Sequence, residues 1–208
     1  MATTSNRAKF RALVFCVLGC LTAGFYFNYP GGPSTEKQHF REVGSTLAKE
    51  AIKLLPAGGP IILISRDTET FQQPALEETV KGFLSVLKES NLAPTTTLSL
   101  QVDPLRPTEV PPGDFAELIR KNRKGGVIVS LMGPPLLDSE VWNRLGKFET
   151  KLVALCTGSL PQLINLPQLF SAGFLHVAVV DRTGLNRTNK VKFEHRFNVL
   201  RASEVSKL

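Results

Sequence analysis

The stretch that decides the fold is residues 60–65, PIILIS, in which a proline opens a run of four aliphatic residues. Three of the four are β-branched isoleucines, and no polar residue alternates with them. A run that is short, continuous and β-branched is typical of a strand buried on both faces, as at the centre of a parallel sheet. We therefore expect a central parallel strand with helices packed on each side of it.

Helical patterns lie on both sides of this strand in the chain. Residues 36–54 carry apolar side chains at three- and four-residue intervals, which predicts an amphipathic helix that ends at the Pro-Ala-Gly-Gly turn of residues 56–59. Its expected inward side chains are Phe40, Val43, Leu47, Ala51 and Leu54. A second helix begins near Pro74 and ends at Asn91. Its expected inward side chains are Leu76, Val80, Phe83, Leu84 and Leu87.

The alternation of strand and helix continues downstream. The further predicted strands are TTTLSLQV (95–102), GVIVSLM (126–132), LVALCT (152–157) and FLHVAVV (174–180). Between them we expect a helix that buries Phe115, Leu118 and Ile119, and one capped by Asp138 that turns Val141, Trp142 and Leu145 inward. A weaker helix is expected over residues 160–170, where Pro161 suits a first turn and Pro167 would end the helix early.

The C-terminal segment VKFEHRFNV (191–199) alternates apolar and polar residues, which indicates a half-exposed edge strand. Residues 181–190 could form the hairpin turn that makes this strand antiparallel. Together the patterns predict an α/β domain with a mostly parallel sheet of about five strands, helices on both faces and a flavodoxin-like or Rossmann-like topology.

The N-terminus has the pattern of a membrane-directed leader. Three basic residues within residues 1–11 precede an uncharged run from residue 12, and an aromatic group follows at residues 26–29. Sixteen apolar residues cover roughly 24 Å of a hydrocarbon core of about 30 Å. We therefore expect a cytoplasmic flank (1–11), a transmembrane anchor or signal segment (12–29), a linker (30–35) and an extracytoplasmic domain (36–208), held at a bacterial inner membrane. The alternatives are lipidation of Cys20, in the lipobox-like VLGC, and cleavage near residues 22–24.

Charge and cysteine content exclude several classes of function. Of the net charge of +7, the leader supplies three, and the remainder forms no continuous basic stripe, so we expect no nucleic-acid partner. The basic run RKNRK (120–124) is interpreted as a helix C-terminus, where cations are favoured. Cys156 is the one cysteine after residue 20, and it lacks a neighbouring histidine, so we expect a small buried side chain.

No enzyme, cofactor or metal site is predicted. The three histidines lack metal-ligand spacing, His176 is interpreted as a satisfied core side chain, and neither G-x-G-x-x-G nor G-x-x-x-x-G-K occurs. An enzyme using Arg66, Asp67 or Cys156 is the least favoured alternative, because no general base is convincingly placed. In a sheet of this kind, ligands bind beyond the carboxyl ends of the strands. The candidate ligand-binding residues there are Arg66, Asp67, Thr68, Asp103, Gly133, Thr157, Ser159, Asp181 and Arg182.

Residues 60–157 resemble one lobe of the type I periplasmic substrate-binding proteins, the sugar-binding and LacI-like family. The resemblance lies in PIILISRDTET, ALEETVKGFLSVLKES, TTTLSLQV, FAELIRKNRKGGVIVSLMGPP and WNRLGKFETKLVALCTGS. It implies a binding lobe for a small polar solute, without catalysis. That family binds ligand between two lobes, whereas this length suits one, so a second lobe from another chain or a homodimer is compatible with it. The alternative is a protein-interaction or assembly module of the cell envelope.

Overall fold

The structure is a computed structural model, and it describes residues 33–68, 72–101, 110–136, 139–182 and 196–205. The chain divides into two compact units, Met1–Glu36 and Lys37–Leu208, and the second contains the sheet. The predicted anchor, Cys20, Asp103, Asp138 and residues 183–190 of the predicted hairpin turn lie outside the described residues. Among the helices that are described, none is both long and apolar enough to span a membrane.

Six strands of the described residues form one sheet. They are β1 (Ile61–Arg66), β2 (Thr96–Leu100), β3 (Val127–Ser130), β4 (Lys151–Cys156), β5 (Val177–Asp181) and β6 (Phe197–Arg201), in the order β2-β1-β3-β4-β5-β6. All neighbours are parallel except β5 and β6, which are antiparallel. The predicted central parallel strand and the antiparallel C-terminal edge strand are therefore confirmed, although the edge strand spans Phe197–Arg201 rather than residues 191–199, of which 191–195 lie outside the described residues.

Seven helices surround the sheet in the described part of the chain. They are α1 (Pro33–Leu54), α2 (Pro74–Glu89), α3 (Pro112–Lys121), α4 (Ser139–Leu145), α5 (Leu160–Leu163), α6 (Leu166–Ser171) and α7 (Ala202–Val205). Helix α1 begins at Pro33, within the segment predicted as linker. Proline stands in the first turn of α2, α3, α5 and α6, where its missing N–H costs no hydrogen bond.

The sheet separates two apolar clusters, and alternate residues of each strand belong to opposite ones. In β1, Ile61 and Leu63 pack in the cluster of α1 and α2, whereas Ile62 and Ile64 pack in that of α3 to α6. All six residues of β1 are buried. The continuous apolar run is thus explained, because a strand covered on both faces has no position for an exposed side chain.

Helices α1 and α2 pack at very short distance through two glycines. A Cβ atom on Gly44 would lie 1.9 Å from the backbone oxygen of Thr79, and one on Gly82 would lie 2.1 Å from that of Arg41. The ion pair between Arg41 and Glu78 joins the two helices at the same place. The absence of side chains at positions 44 and 82 is therefore what lets the helices meet.

Two local predictions were wrong. Leu84, expected to face inward, is 41% exposed, because it lies at the margin of the buried face of α2. Residues 160–170 form two short helices rather than one, since Asn165 caps a new helix by accepting a hydrogen bond from the Gln168 N–H at 3.1 Å. Pro167 therefore lies in the first turn of α6 and does not end α5.

Candidate functional site

A cleft of about 460 Å³ opens at the carboxyl edge of the sheet. The ends of β1 and β5 and the loops after β3 and β4 form its floor, and α1 and the start of α2 form one wall. Its polar and aromatic lining side chains are Phe40, Arg66, Gln73, Thr79, Thr157, Ser159, Asp181 and Arg196. This is the position where parallel α/β sheets bind ligands.

Arg66 stands between this cleft and a second one of about 640 Å³ beside it. It is the last residue of β1 and is buried. Asp67 and Thr68 line the second cleft, where the Gln101 amide approaches an Asp67 carboxylate oxygen at 3.4 Å. The polar residues at the end of β1 and just after it therefore line two adjacent clefts rather than one.

The ion pair of Asp181 and Arg196 lines the first cleft next to α1. Asp181 ends β5, and its Oδ2 lies 3.3 Å from Nη2 of Arg196, the residue before β6. The guanidinium carbon of Arg196 lies 5.2 Å from the ring centroid of Phe40 and 5.1 Å from that of Phe197. Both distances are in the range of cation–π attraction, so the two rings hold the guanidinium in place.

The loop after β4 contributes hydroxyl groups. Thr157 and Ser159 line the cleft on either side of Gly158, whose φ of +64° is a conformation that glycine adopts without strain. The backbone oxygen of Ser159 accepts the first hydrogen bond of α5, from the Gln162 N–H at 3.0 Å. The turn thus directs two hydroxyl-bearing residues to the open end of the sheet.

Gly133 has a structural role beneath this loop. Its φ is +83°, and a Cβ atom there would lie 2.7 Å from Cδ1 of Leu160. Its carbonyl accepts a hydrogen bond of 2.6 Å from the buried Ser130 hydroxyl. Gly133 therefore lets α5 approach β3 and is not among the residues that line the cleft.

The structure brings together four of the predicted candidates, Arg66, Thr157, Ser159 and Asp181. Arg182 is exposed, and its N–H bonds the Arg196 carbonyl at 2.7 Å, which continues the pairing of β5 with β6. Arg196 and Phe40 were not predicted as site residues. The helical spacing predicts that Phe40 faces the core, and the sequence carries no local signal for Arg196, because its position depends on the pairing of β6 with β5.

Cys156 has the buried position that was predicted for it, whereas His176, which was predicted as a core side chain, is half-buried and belongs to neither apolar cluster. Cys156 is fully buried among apolar side chains, and that burial raises the pKa of its thiol to about 12. Nδ1 of His176 accepts a hydrogen bond from the Leu152 N–H at 3.3 Å, and burial lowers the pKa of the imidazole to about 4. The buried thiol of Cys156 is therefore protonated at neutral pH, and the imidazole of His176 is neutral, with Nδ1 occupied by the Leu152 N–H. The described residues contain no group of three His, Cys, Asp or Glu able to hold a metal ion.

No family model and no curated protein matches the chain. Among solved structures, the XylFII–LytSN complex matches with a TM-score of 0.56 at 15% identity, over 79% of this chain and 60% of that one. A sugar-binding protein of a sugar ABC transporter from Bacillus halodurans matches with a TM-score of 0.52 at 12% identity, over 81% of this chain and 64% of that one. A periplasmic ribose ABC transporter protein from Conexibacter woesei matches with a TM-score of 0.52 at 11% identity, over 81% of this chain and 59% of that one.

These matches show that the domain has the fold of a type I periplasmic sugar-binding lobe, as the sequence resemblance implied. At identities this low the likeness concerns the fold. The chain spans about 60% of the length of the solved proteins that it matches.

Proposed function

We propose that the protein is a membrane-anchored, extracytoplasmic binding lobe that takes up a small polar solute in the carboxyl-edge cleft and does no chemistry on it. The observation that carries the proposal is the convergence of Arg66, Thr157, Ser159 and Asp181 on one cleft. These residues come from the ends of three different strands, so their meeting results from the parallel sheet.

The chemistry of the lining favours a ligand with several hydroxyl groups. A hydroxyl both donates and accepts, so it can bond a guanidinium, a carboxylate and another hydroxyl at once. All three kinds of group line the cleft, for example in Arg66, Asp181 and Thr157. Its volume of about 460 Å³ suits a small solute. Two of the structural neighbours are named for sugar transport, which supports a sugar as the first ligand to test.

The membrane attachment rests on the N-terminal sequence. Arg7, Lys9 and Arg11 would stay on the cytoplasmic side, and residues 12–29 would cross the bilayer and hold the lobe outside. We expect the full-length chain to stay in membranes after carbonate washing. We also expect a protease to reach residues 36–208 only from the outer side of the membrane. Release by the wash would contradict an uncleaved anchor.

A protein partner is the second candidate for what the lobe binds. The neighbour with a TM-score of 0.56 is a complex, XylFII–LytSN, so a lobe of this fold occurs in a protein assembly. In that case, the carboxyl edge would contact a protein of the cell envelope.

One experiment separates the two candidates. The full-length chain is purified in mild detergent and examined by native mass spectrometry, and D-ribose and L-arabinose are then titrated by calorimetry. A retained small mass, or saturable binding of a pentose, supports the solute. A chain that carries no small mass, binds neither sugar and co-purifies in a fixed ratio with another protein supports the interaction module instead.

A further inference from the structure

A third cleft, of about 650 Å³, lies at the opposite edge of the sheet. It is formed by segments that precede strands rather than follow them: Arg123 before β3, residues 146–149 before β4 and residues 172–174 before β5. None of its lining residues belongs to the two clefts at the carboxyl edge. It is therefore separate from the proposed solute site.

A stack of aromatic rings runs from the core into this cleft. Trp142 and Phe174 are stacked with centroids 3.8 Å apart and planes 18° from parallel, and Phe148 and Phe174 are 6.0 Å apart at 22°. Trp142 is buried, whereas Phe148 and Phe174 are half-buried. Near-parallel rings that reach the surface present a flat apolar face on which a further ring can stack.

The surroundings of the cleft are strongly basic. Residues 120–124 and 144–151 contribute seven lysines and arginines, of which Arg123 and Lys147 line the cleft; Glu149, the one acid within those two segments, lines it as well. The run RKNRK does end a helix, as predicted, but it is also joined to the cleft. A guanidinium nitrogen of Arg123 donates to the Leu145 carbonyl, and the Arg123 carbonyl accepts from the Glu149 N–H at 3.0 Å.

We propose that this cleft binds a small planar aromatic anion. Its ring stacks on Phe148 and Phe174, and its negative group lies beside the exposed ammonium of Lys147 and the guanidinium of Arg123. Stacking on an aromatic side chain accepts any planar ring, and a surrounding excess of positive charge selects the charged ring over the neutral one. A phosphate or a carboxylate satisfies the charge equally well, so the test includes both.

The chain itself provides the probe, because Trp142 is its only tryptophan and lines the cleft. Full-length protein in detergent is titrated with AMP, benzoate, adenosine and ribose 5-phosphate while tryptophan fluorescence is followed at an excitation that the probes do not absorb. We expect saturable quenching by AMP, benzoate or both, with a dissociation constant below about 1 mM. At least tenfold weaker effects are expected from adenosine, which lacks the charge, and from ribose 5-phosphate, which lacks the aromatic ring. No quenching by AMP or benzoate overturns the proposal, as does equal quenching by either control.

Two charge reversals of exposed lysines complete the test. Lys147→Glu removes a cation that lines the cleft, whereas Lys124→Glu makes the same change in net charge on the same basic surface outside the lining. We expect the first to weaken binding of the quenching probe at least tenfold and the second to change it less than twofold. Equal effects of the two variants would mean general attraction of anions and would overturn a defined site. Pentose binding at the carboxyl edge should be unchanged in both, so the two proposals fail independently.

Discussion

Arg201 of β6 makes a bidentate ion pair with Glu50 of α1, 151 residues earlier in the chain. Nε of Arg201 lies 3.0 Å from Oε2 of the carboxylate, and Nη2 lies 2.8 Å from Oε1. Lys53 adds a third contact at 2.7 Å. Glu50 is buried, and the bonds from Arg201 and then Lys53 lower the pKa of its carboxyl from 4.5 to about 2. The pair fastens the antiparallel edge strand to the first helix.

Glu50→Ala should lower the free energy of unfolding by about 1 to 2 kcal/mol, since it removes the bidentate partner of Arg201 and leaves that guanidinium only the exposed Glu204, 3.0 Å from its Nη1. Urea denaturation followed by Trp142 fluorescence measures the change. The matched control is Glu117→Ala, which removes an exposed carboxylate that pairs with Lys121 at 2.6 Å on the surface of α3. The urea midpoint of Glu117→Ala should stay at the wild-type value, because exposed ion pairs contribute little to stability. Similar losses in both variants would contradict a special role for Glu50.

The ion pair of Glu50 and Arg201 predicts that the free energy of unfolding depends on pH. Because the folded-state pKa of Glu50 lies below its unfolded value, the unfolded chain binds the proton more readily, and the pair's contribution is complete above about pH 4.5. That contribution should be lost as the pH falls toward 2. The difference in unfolding free energy between wild type and Glu50→Gln should therefore shrink on acidification. A difference that is constant from pH 6 to pH 3 would rule out this titration.

Gly44→Ala and Gly82→Ala should each destabilise the fold by roughly 2 kcal/mol or more, because the added methyl would overlap backbone atoms at the crossing of α1 and α2. Gly113→Ala is the control: it lies in the first turn of α3, and nothing lies within 4 Å of the new Cβ. There the change should be neutral or stabilising by a few tenths of a kcal/mol. Thermal melts of the three variants compare them directly, and wild-type stability of Gly44→Ala would refute the close contact.

Two substitutions distinguish the adjacent clefts at the carboxyl edge. Ser159→Ala changes the first cleft, and Asp67→Asn changes the second, while Arg66 lines both. If the solute binds as proposed, Ser159→Ala should weaken it roughly 3- to 10-fold by loss of one hydrogen bond. Asp67→Asn should have less than a twofold effect, and Arg66→Ala should abolish binding. Calorimetry with the bound sugar gives all three values, and the reverse order for Ser159 and Asp67 would move the solute to the second cleft.

Cys156 should resist thiol reagents in the folded protein. Its burial and a pKa of about 12 leave almost no accessible thiolate at pH 8. In a chain with Cys16→Ser and Cys20→Ser, labelling by a disulfide reagent should occur only on unfolding and should follow the urea transition. Rapid labelling under native conditions would instead revive the thiol-enzyme alternative.

The elements of this fold could be predicted because local patterns specify them. Residues 61–64 are apolar at every position since β1 is covered on both faces, and Val43, Leu47 and Ala51 recur at helical spacing since α1 is covered on one. Local patterns were not enough for Leu84, which was expected to be buried, or for Pro167, which was expected to end a helix. How far a helix face is covered depends on its neighbours, and a proline can open a helix as well as end one.

The residue types and the direction of the strands were enough to place Arg66, Thr157, Ser159 and Asp181 at one edge of the sheet, because parallel strands all end on the same side. Only the tertiary structure decided which residues distant in the chain contact one another, around this site and elsewhere in the domain. Arg196 beside Phe40, Glu50 beside Arg201, Gly44 against Thr79 and Trp142 on Phe174 all join residues distant in the chain. Those contacts depend on strand order, register and helix packing, which no local periodicity encodes.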